Sequence, residues 1–315
     1  MKHKVFVDGS EGTTGLRIYE RFQSRTDIEL LIIDPKLRKD PAERAKLINQ
    51  SDITFLCLPD DAARESVALV ENERVTIIDT STAHRTMPGW SYGFPELSSQ
   101  HRKAIISGKR IAVPGCYATG VIALIYPLIK AGILSSDHLA AIHAISGYSG
   151  AGKKMIAEYE NSDRAPQYNA PRLYALGQQH KHLKEIQQIT GLTNTPIFSP
   201  IIADYYQGMV VSIPLFSSQL RSKTTPRELA DFFADTYAGK NFIRVMPSYD
   251  DETSSKFLCC NESAGWDGLN IYPTGNDDRI VLSAQFDNLG KGASGAAIQC
   301  MNLALGCAED TGLVL

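Results

Sequence analysis

The stretch Lys4-Val-Phe-Val-Asp-Gly-Ser-Glu-Gly-Thr-Thr-Gly15 decides the fold of the first part of the chain. Its residues up to Asp8 are typical of a strand and those from Thr14 to Phe22 of a helix, so the glycines form the turn between them. The alternation continues, with strands predicted over 29–33, 53–58 and 75–79 and helices over 41–49 and 60–70. Because these strands are almost continuously apolar, the pattern predicts an α/β fold with a Rossmann-like parallel sheet, buried on both faces.

The second part of the chain differs from the first in the order and spacing of its strand and helix patterns. Strands come closer together, at 208–214, 269–273 and 280–286, and Thr225 to Glu228 is a capping box ahead of a helix that reaches Tyr237. This pattern predicts an α+β catalytic domain with a mainly antiparallel sheet. We place the domains at residues 1–115 and 116–291, followed by a small-residue-rich apolar helix over 292–315.

Composition narrows the functional class. The 315 residues carry a net charge of −3, with 43% hydrophobic and 21% charged residues, which gives no support to a nucleic-acid or membrane-surface partner. The apolar segment after the basic N-terminus is too short for a secretory signal, so we expect a cytoplasmic protein. Six cysteines without a CxxC pair are expected to be reduced, and all except Cys116 to be small buried hydrophobes.

The glycine turn predicts a dinucleotide site. Its three glycines follow a strand and open a helix, although their spacing departs from the commoner GxGxxG, and a tight turn without ligand remains the alternative. The candidate cofactor-binding residues of the first domain are Gly9, Ser10, Gly12, Thr13, Thr14, Gly15 and Ser81.

The choice between NAD and NADP depends on the residues after the second strand. Asp34 occupies the position of the acid that binds a ribose 2′-hydroxyl, but Lys36, Arg38 and Lys39 follow at once. Because cations at this place favour a 2′-phosphate, we predict NADP(H), with Arg38 and Lys39 as phosphate ligands.

The heptapeptide Pro114-Gly-Cys-Tyr-Ala-Thr-Gly120 predicts a nucleophile. Cys116 lies between a short apolar run and a helix-like apolar run, and the unpaired N–H groups at a helix start favour a thiolate. A thiolate attacks acyl carbons, so a cysteine combined with a nicotinamide cofactor indicates acyl-group redox chemistry.

Two further segments carry candidate site residues. Residues 145–154 end a strand in glycines and serines, and such a loop offers backbone N–H groups and Lys153 to a phosphate, or else forms a plain turn. In His180-Lys-His182-x-x-Glu185, a histidine would transfer protons, and His182 would share a helix face with Glu185. The spacing is not a zinc pattern, so we predict no metal. His84 could line the nicotinamide pocket.

Taken together, these motifs resemble those of a known enzyme family. The chain resembles the N-acetyl-γ-glutamyl-phosphate reductases of arginine biosynthesis, in their shorter form, within the semialdehyde dehydrogenase superfamily. The resemblance spans nearly the whole chain and rests on the glycine turn, Asp79-Thr-Ser-Thr-Ala-His-Arg85, Tyr92-Gly-Phe-Pro-Glu96, Pro114-Gly-Cys-Tyr-Ala-Thr119, Ser146-Gly-Tyr-Ser-Gly-Ala-Gly-Lys153, His180-Lys-His182 and Asp287-Asn-Leu-Gly-Lys-Gly-Ala-Ser-Gly-Ala-Ala297.

The resemblance implies a reaction and roles. An acyl phosphate is reduced by NADPH to an aldehyde with release of phosphate, with Cys116 as nucleophile and a histidinium, His180 rather than His182, as proton donor. The implied substrate-binding residues are Ser146, Gly147, Ser149, Lys153, Tyr174, His182 and Glu185. The resemblance also implies a homo-oligomer, dimer or tetramer, and a C-terminal helix that packs onto the cofactor domain.

One departure from the family and two rival functions stay open. Longer relatives have a basic residue near Gln207, so Lys153, Arg172 or Lys181 would have to supply that charge. The chain could instead act on a homologous acyl phosphate of the aminoadipyl type, or bind NADP without catalysis.

Overall fold

The computed structural model describes residues 2–250, 252 and 254–315. The chain forms two compact units. The first contains the chain up to Gly115 together with Ala293–Val314, and the second contains Cys116–Gly292 and the last residue.

The first unit is built on a parallel sheet of six strands. They are β1 (His3–Asp8), β2 (Ile28–Leu31), β3 (Ile53–Leu56), β4 (Thr76–Asp79), β5 (Ser91–Tyr92) and β6 (Arg110–Ala112), in the order β2-β1-β3-β4-β6-β5. Helices α1 (Thr13–Phe22), α2 (Pro41–Gln50), α3 (Asp60–Ala68) and α4 (Ser99–Ser107) alternate with them. Because every strand pair is parallel, the carboxyl ends of β1 to β4 lie at one edge, where open α/β sheets bind ligands.

The second strand differs from its prediction. The sequence indicates a buried strand over 29–33, but β2 ends at Leu31, lies at the sheet edge and is only partly buried. Ile32, just beyond it, is 68% exposed. A run of aliphatic residues does not distinguish an edge strand from a central one, because position in the sheet depends on pairing with distant residues.

The second unit has a mixed, mainly antiparallel sheet of seven strands. Its helices are α5 (Cys116–Lys130), α6 (Lys153–Glu160), α7 (His182–Thr190) and α8 (Pro226–Thr236). Its strands are β7 (Ala141–Gly147), β8 (Arg172–Leu173), β9 (Ile197–Ala203), β10 (Met209–Phe216), β11 (Ile243–Val245), β12 (Leu269–Gly275) and β13 (Arg279–Phe286), in the order β11-β12-β13-β10-β7-β9-β8. The predicted fold class, a parallel cofactor-type sheet followed by an α+β unit, is confirmed.

The C-terminal helix is shorter than the predicted span of 292–315. A single π-helical turn over Gly290–Ser294 precedes α9 (Gly295–Leu305), which ends at Gly306 in the left-handed conformation (φ 71°). The remaining residues up to Leu315 are not helical. Helix α9 belongs to the first unit, where Ala297, Ile298 and Met301 join the hydrophobic core beside β1 and β4.

The cysteines also differ from their prediction. None of the six, all of which the structure describes, forms a disulfide, but of the five expected to be buried hydrophobes only Cys300 is buried. Cys57, Cys260 and Cys307 are partly exposed and Cys259 is exposed. None of the helices among the described residues is both long enough and apolar enough to cross a membrane.

Candidate active site

The glycine turn after β1 has one glycine that the protein's own packing does not require. A Cβ on Gly9 (φ +91°) would lie 2.4 Å from the carbonyl oxygen of Cys57, and a Cβ on Gly15 2.3 Å from that of Gly9. A Cβ on Gly12 would meet nothing closer than 3.5 Å. Gly9 and Gly15 therefore let the turn pack on itself and against Cys57, the residue after β3. Gly12 instead leaves room for a group from outside the chain, as a bound pyrophosphate needs.

A buried polar atom also indicates a ligand at this turn. The Thr13 hydroxyl at the start of α1 is buried and has no hydrogen-bond partner among the described residues. Unsatisfied buried hydroxyls are costly, and a ligand oxygen at a helix N-terminus would satisfy this one. Beside the turn, Ser10 and Tyr19 line a pocket together with residues 30–33, which are the end of β2 and the two residues after it. The residues present therefore fit a dinucleotide.

The structure brings one of the two predicted phosphate ligands to this turn. Arg38 forms an ion pair with Glu11, so its guanidinium lies beside the glycines, and both side chains stay about half exposed. Lys39, the next residue in the same turn, is exposed. The carboxylate of Asp34 accepts the backbone N–H of Lys36 at 2.9 Å, so it stabilises its own turn.

Ser81 and His84 share the Asp79 carboxylate at the end of β4. The Ser81 hydroxyl donates to Asp79 Oδ2 at 2.8 Å, and His84 Nδ1 lies 2.6 Å from the same oxygen. The His84 ring stacks on Trp90 at 4.1 Å. These contacts hold both residues at the carboxyl-end edge of the sheet. The proton of the Ser81 hydroxyl is already donated to Asp79.

Cys116 is the first residue of α5. This position places its thiol at the positive end of the helix dipole, as the sequence predicts, and the residue is partly exposed. Gly292 lies directly against it, since a Cβ on Gly292 would be 3.0 Å from the Cβ of Cys116. Only a residue without a side chain leaves the Cys116 side chain its space there.

Tyr117, next to Cys116, is a candidate site residue that the sequence patterns did not indicate. Its hydroxyl accepts a hydrogen bond from the Tyr174 hydroxyl at 3.0 Å. Burial, with Tyr174 and Cys116 nearby, raises the pKa of Tyr117 well above its ordinary value, and burial also raises that of Tyr174. Both phenols therefore stay protonated, and Tyr117 keeps a proton to donate. Its place beside Cys116 in the motif was the only sequence signal.

The two predicted histidines lie together at the start of α7. Their rings are 4.7 Å apart, and each ring centre lies 5.9 Å from that of Tyr117. The backbone N–H of His182 donates to His180 Nδ1 at 3.2 Å, so a neutral His180 carries its proton on Nε2. His182 and Glu185, which lie three residues apart on α7, are both buried.

The surroundings of His180 set the charge of its ring before substrate binds. Burial, with a contribution from the charge of Lys181, lowers the pKa of His180 to about 4. The unliganded side chain is therefore neutral at pH 7, so it can first accept a proton and only afterwards return one.

The loop after β7 is fixed by its neighbours. The N–H of Gly147 donates to the carbonyl of Gly208 at 3.0 Å, and the Ser149 hydroxyl accepts from Asn288 Nδ2 at 2.9 Å. Ser146 and Ser149 are buried, whereas Lys153, at the start of α6, is exposed. Asn288 was not among the predicted residues, although it lies in the Asp287–Ala297 motif.

Among the described residues no group of three or more His, Cys, Asp or Glu side chains is placed to hold a metal ion. What the second unit does assemble is a thiol at a helix start, a neutral imidazole and two protonated phenols. These groups suit nucleophilic attack on an acyl carbon with proton transfer.

Comparisons with known proteins point the same way. Residues 4–105 match the model of the semialdehyde dehydrogenase NAD binding domain, and residues 116–288 match that of the semialdehyde dehydrogenase dimerisation domain. N-acetyl-gamma-glutamyl-phosphate reductase 2 from a Nostoc species is 44% identical to this chain, covering 99% of both proteins. The Pseudomonas putida protein of the same name is 43% identical to this chain, covering 98% of both proteins.

The chain belongs to the N-acetyl-gamma-glutamyl-phosphate reductase family. It is thus an oxidoreductase with the nicotinamide-dinucleotide-binding domain of the semialdehyde dehydrogenases.

Solved structures support the fold of these reductases. Aspartate semialdehyde dehydrogenase from Francisella tularensis has a TM-score of 0.72 and covers 96% of this chain and 99% of its own, with 16% sequence identity. The Vibrio cholerae enzyme II, complexed with ASA, has a TM-score of 0.68 at 15% identity, covering 97% of this chain and 99% of its own.

Proposed function

We propose that this chain reduces N-acetyl-γ-glutamyl phosphate to N-acetylglutamate semialdehyde, with release of phosphate, through a thioester on Cys116. The observation that carries the proposal is the 44% sequence identity, over 99% of this chain, with a reductase of this name. It is combined with a cysteine at the first position of α5. A helix start favours the thiolate, and phosphate is a good leaving group from an acyl carbon.

The neutral His180 supports a complete proton cycle. Its imidazole accepts the thiol proton of Cys116 as sulfur attacks the acyl carbon, and phosphate departs. The oxyanion of the hemithioacetal later collapses to the aldehyde and expels the sulfur of Cys116. The imidazolium returns its proton to that sulfur, which regenerates the thiol and the neutral imidazole. Tyr117 and Tyr174, which stay protonated, supply hydrogen-bond donors for the oxyanion of this intermediate.

The cofactor is NADP(H), which when bound supplies the hydride. Gly12 and the Thr13 hydroxyl would hold its pyrophosphate, and Ser10, Gly9, Thr14 and Gly15 shape the turn around it. Arg38 is the favoured ligand of a 2′-phosphate because it already lies against the turn, and Lys39 is a second cation close by. A homo-oligomer, dimer or tetramer, fits the dimerisation-domain model that residues 116–288 match.

The function is tested in the reverse direction, because the aldehydes are stable and the acyl phosphates are not. N-acetylglutamate semialdehyde, phosphate and NADP⁺ should yield NADPH, and the reaction should require phosphate. The aldehyde that is one methylene longer, of the aminoadipate type, is the matched competitor. A higher kcat/KM for the longer aldehyde would assign the enzyme to that substrate. Absence of phosphate-dependent turnover with either aldehyde would indicate an NADP-binding protein without this catalysis.

The cofactor preference gives a separate prediction. Replacement of Arg38 by alanine should raise KM for NADPH about tenfold and leave KM for NADH unchanged, since only NADPH presents a phosphate for a charge-assisted hydrogen bond. Initial rates with each cofactor measure the effect. Arg64→Ala is the control, because this exposed arginine is likewise paired with an acid, Asp61 at 2.8 Å. Equal losses with both cofactors in Arg38→Ala would contradict the assignment.

A further inference from the structure

The second unit contains two arginines in one aromatic cluster, and only one of them is neutralised. Arg164 donates to both carboxylate oxygens of Asp204, at 2.8 and 2.6 Å, and to the carbonyl of Tyr159. Arg172 forms no salt bridge with any residue that the structure describes. A partly buried cation without a counter-ion is a candidate site for an anionic ligand.

The guanidinium of Arg172 is held in place by aromatic rings. Its Cζ lies 4.0 Å from the ring centre of Tyr168 and 4.9 Å from that of Tyr159, and Nε donates to the Tyr159 hydroxyl at 3.2 Å. Nη2 contacts the sulfur of Met155 at 3.7 Å, and neither this contact nor the bond to Tyr159 is with a carboxylate. The rings restrain the cation and leave an edge of its planar fork for a ligand.

The strand geometry directs Arg172 to the side of the nucleophile. The N–H of Tyr174 bonds to the carbonyl of Pro200, which extends the pairing of β8 by one residue. Alternate strand residues share a face, about 7 Å apart, so Arg172 and Tyr174 face one way and Leu173, which is 51% exposed, faces the other. Tyr174 in turn bonds to Tyr117, the residue after Cys116.

The same cluster supports the predicted substrate loop. Tyr148, between Ser146 and Ser149, stacks on Tyr159 with ring centres 4.6 Å apart and planes 8° apart. Tyr159, which is 2% exposed, therefore contacts both the loop and Arg172. The cation is thus positioned relative to the loop as well as to Tyr174.

We propose that Arg172 binds the α-carboxylate of the substrate and selects for it, an inference that rests on the proposed function. The reacting carbon and its phosphate must lie at Cys116, beside Tyr174. Arg172 is displaced from Tyr174 along the strand, where the other end of a short acyl chain would lie. The planar fork of a guanidinium also matches the two oxygens of a carboxylate.

The test removes the carboxylate from the substrate and the cation from the enzyme. N-acetylglutamate semialdehyde and 4-acetamidobutanal differ only in the α-carboxylate, and both are assayed with phosphate and NADP⁺. Arg172→Met should lower kcat/KM about 10- to 100-fold for the first aldehyde and leave it unchanged for the second. Arg172→Lys should recover part of the loss. Arg164→Met is the control, and any loss it causes should be equal for the two aldehydes.

Other outcomes overturn the proposal. Equal losses with both aldehydes in Arg172→Met would make Arg172 a packing residue, and equal losses with a raised KM for phosphate would assign it to the phosphate. A binding measurement separates this inference from the proposed function. By calorimetry, N-acetylglutamate should bind wild type more tightly than 4-acetamidobutyrate does, and Arg172→Met should abolish the difference. If wild type turned over neither aldehyde, the reaction would be wrong, yet this difference would still decide the role of Arg172.

Discussion

Replacement of Cys116 by alanine should reduce the phosphate-dependent reaction to below about 1% of the wild-type rate. In the proposed reaction the thiol forms the covalent bond to the acyl carbon, and Cys116 lies at the helix position that favours its ionised form. Without this thiol, the thioester to which the hydride is transferred in the proposed reaction cannot form. NADPH binding, followed by the fluorescence of the bound cofactor, should be unchanged.

The control for this substitution is Cys307→Ala, which removes a partly exposed thiol from a part of the chain without a proposed role in catalysis. It should retain the wild-type rate. Mass spectrometry gives an independent readout, since wild type incubated with the acyl phosphate in the absence of NADPH should carry one acyl group on the Cys116 peptide. Activity of more than a few per cent in Cys116→Ala, or an acyl group on another cysteine, would overturn the nucleophile assignment.

The amino-acid sequence predicts the fold of this chain better than it predicts the contacts within the candidate site. Strand and helix periods along the first hundred residues, and the Thr225 capping box, are local signals, and they place most elements to within a few residues. The edge position of β2 and the early end of α9 at Gly306 depend on pairing and packing with distant residues. Local patterns do not contain that information.

In the candidate site, too, the features that depend on local sequence are predicted and those that depend on distant residues are not. The sequence indicates Cys116 because a single residue at a strand-to-helix turn carries its own signal. The Tyr174–Tyr117 bond joins residues 57 positions apart, and the Asn288–Ser149 bond joins residues 139 apart. No spacing rule links such positions. The neutral state of His180 arises from burial, which the folded chain alone determines.

Replacement of His180 by asparagine should lower kcat about 100- to 10,000-fold, the usual range for a lost acid–base group. Asparagine keeps a hydrogen-bonding side chain of similar size but cannot accept the thiol proton of Cys116 and later return it. His182→Asn is the matched control on the same segment and should cost less, because His182 is buried, at 5% exposure. A larger loss in His182→Asn than in His180→Asn would exchange the two roles.

The pH dependence of His180 follows from its lowered pKa. The imidazole must be neutral to accept the thiol proton, so its contribution to kcat/KM is present above its pKa and is lost as the pH falls through about 4. An unperturbed histidine would lose this contribution near pH 6.5. Lys181→Met removes a positive charge that lowers this pKa, and should therefore move the acid limb upward. An NMR titration of the His180 ring protons, assigned by their absence in His180→Asn, measures the pKa directly. A midpoint near 6.5 in the wild-type enzyme would show that a histidinium is available at the start of the reaction and would reverse the order of the two proton transfers.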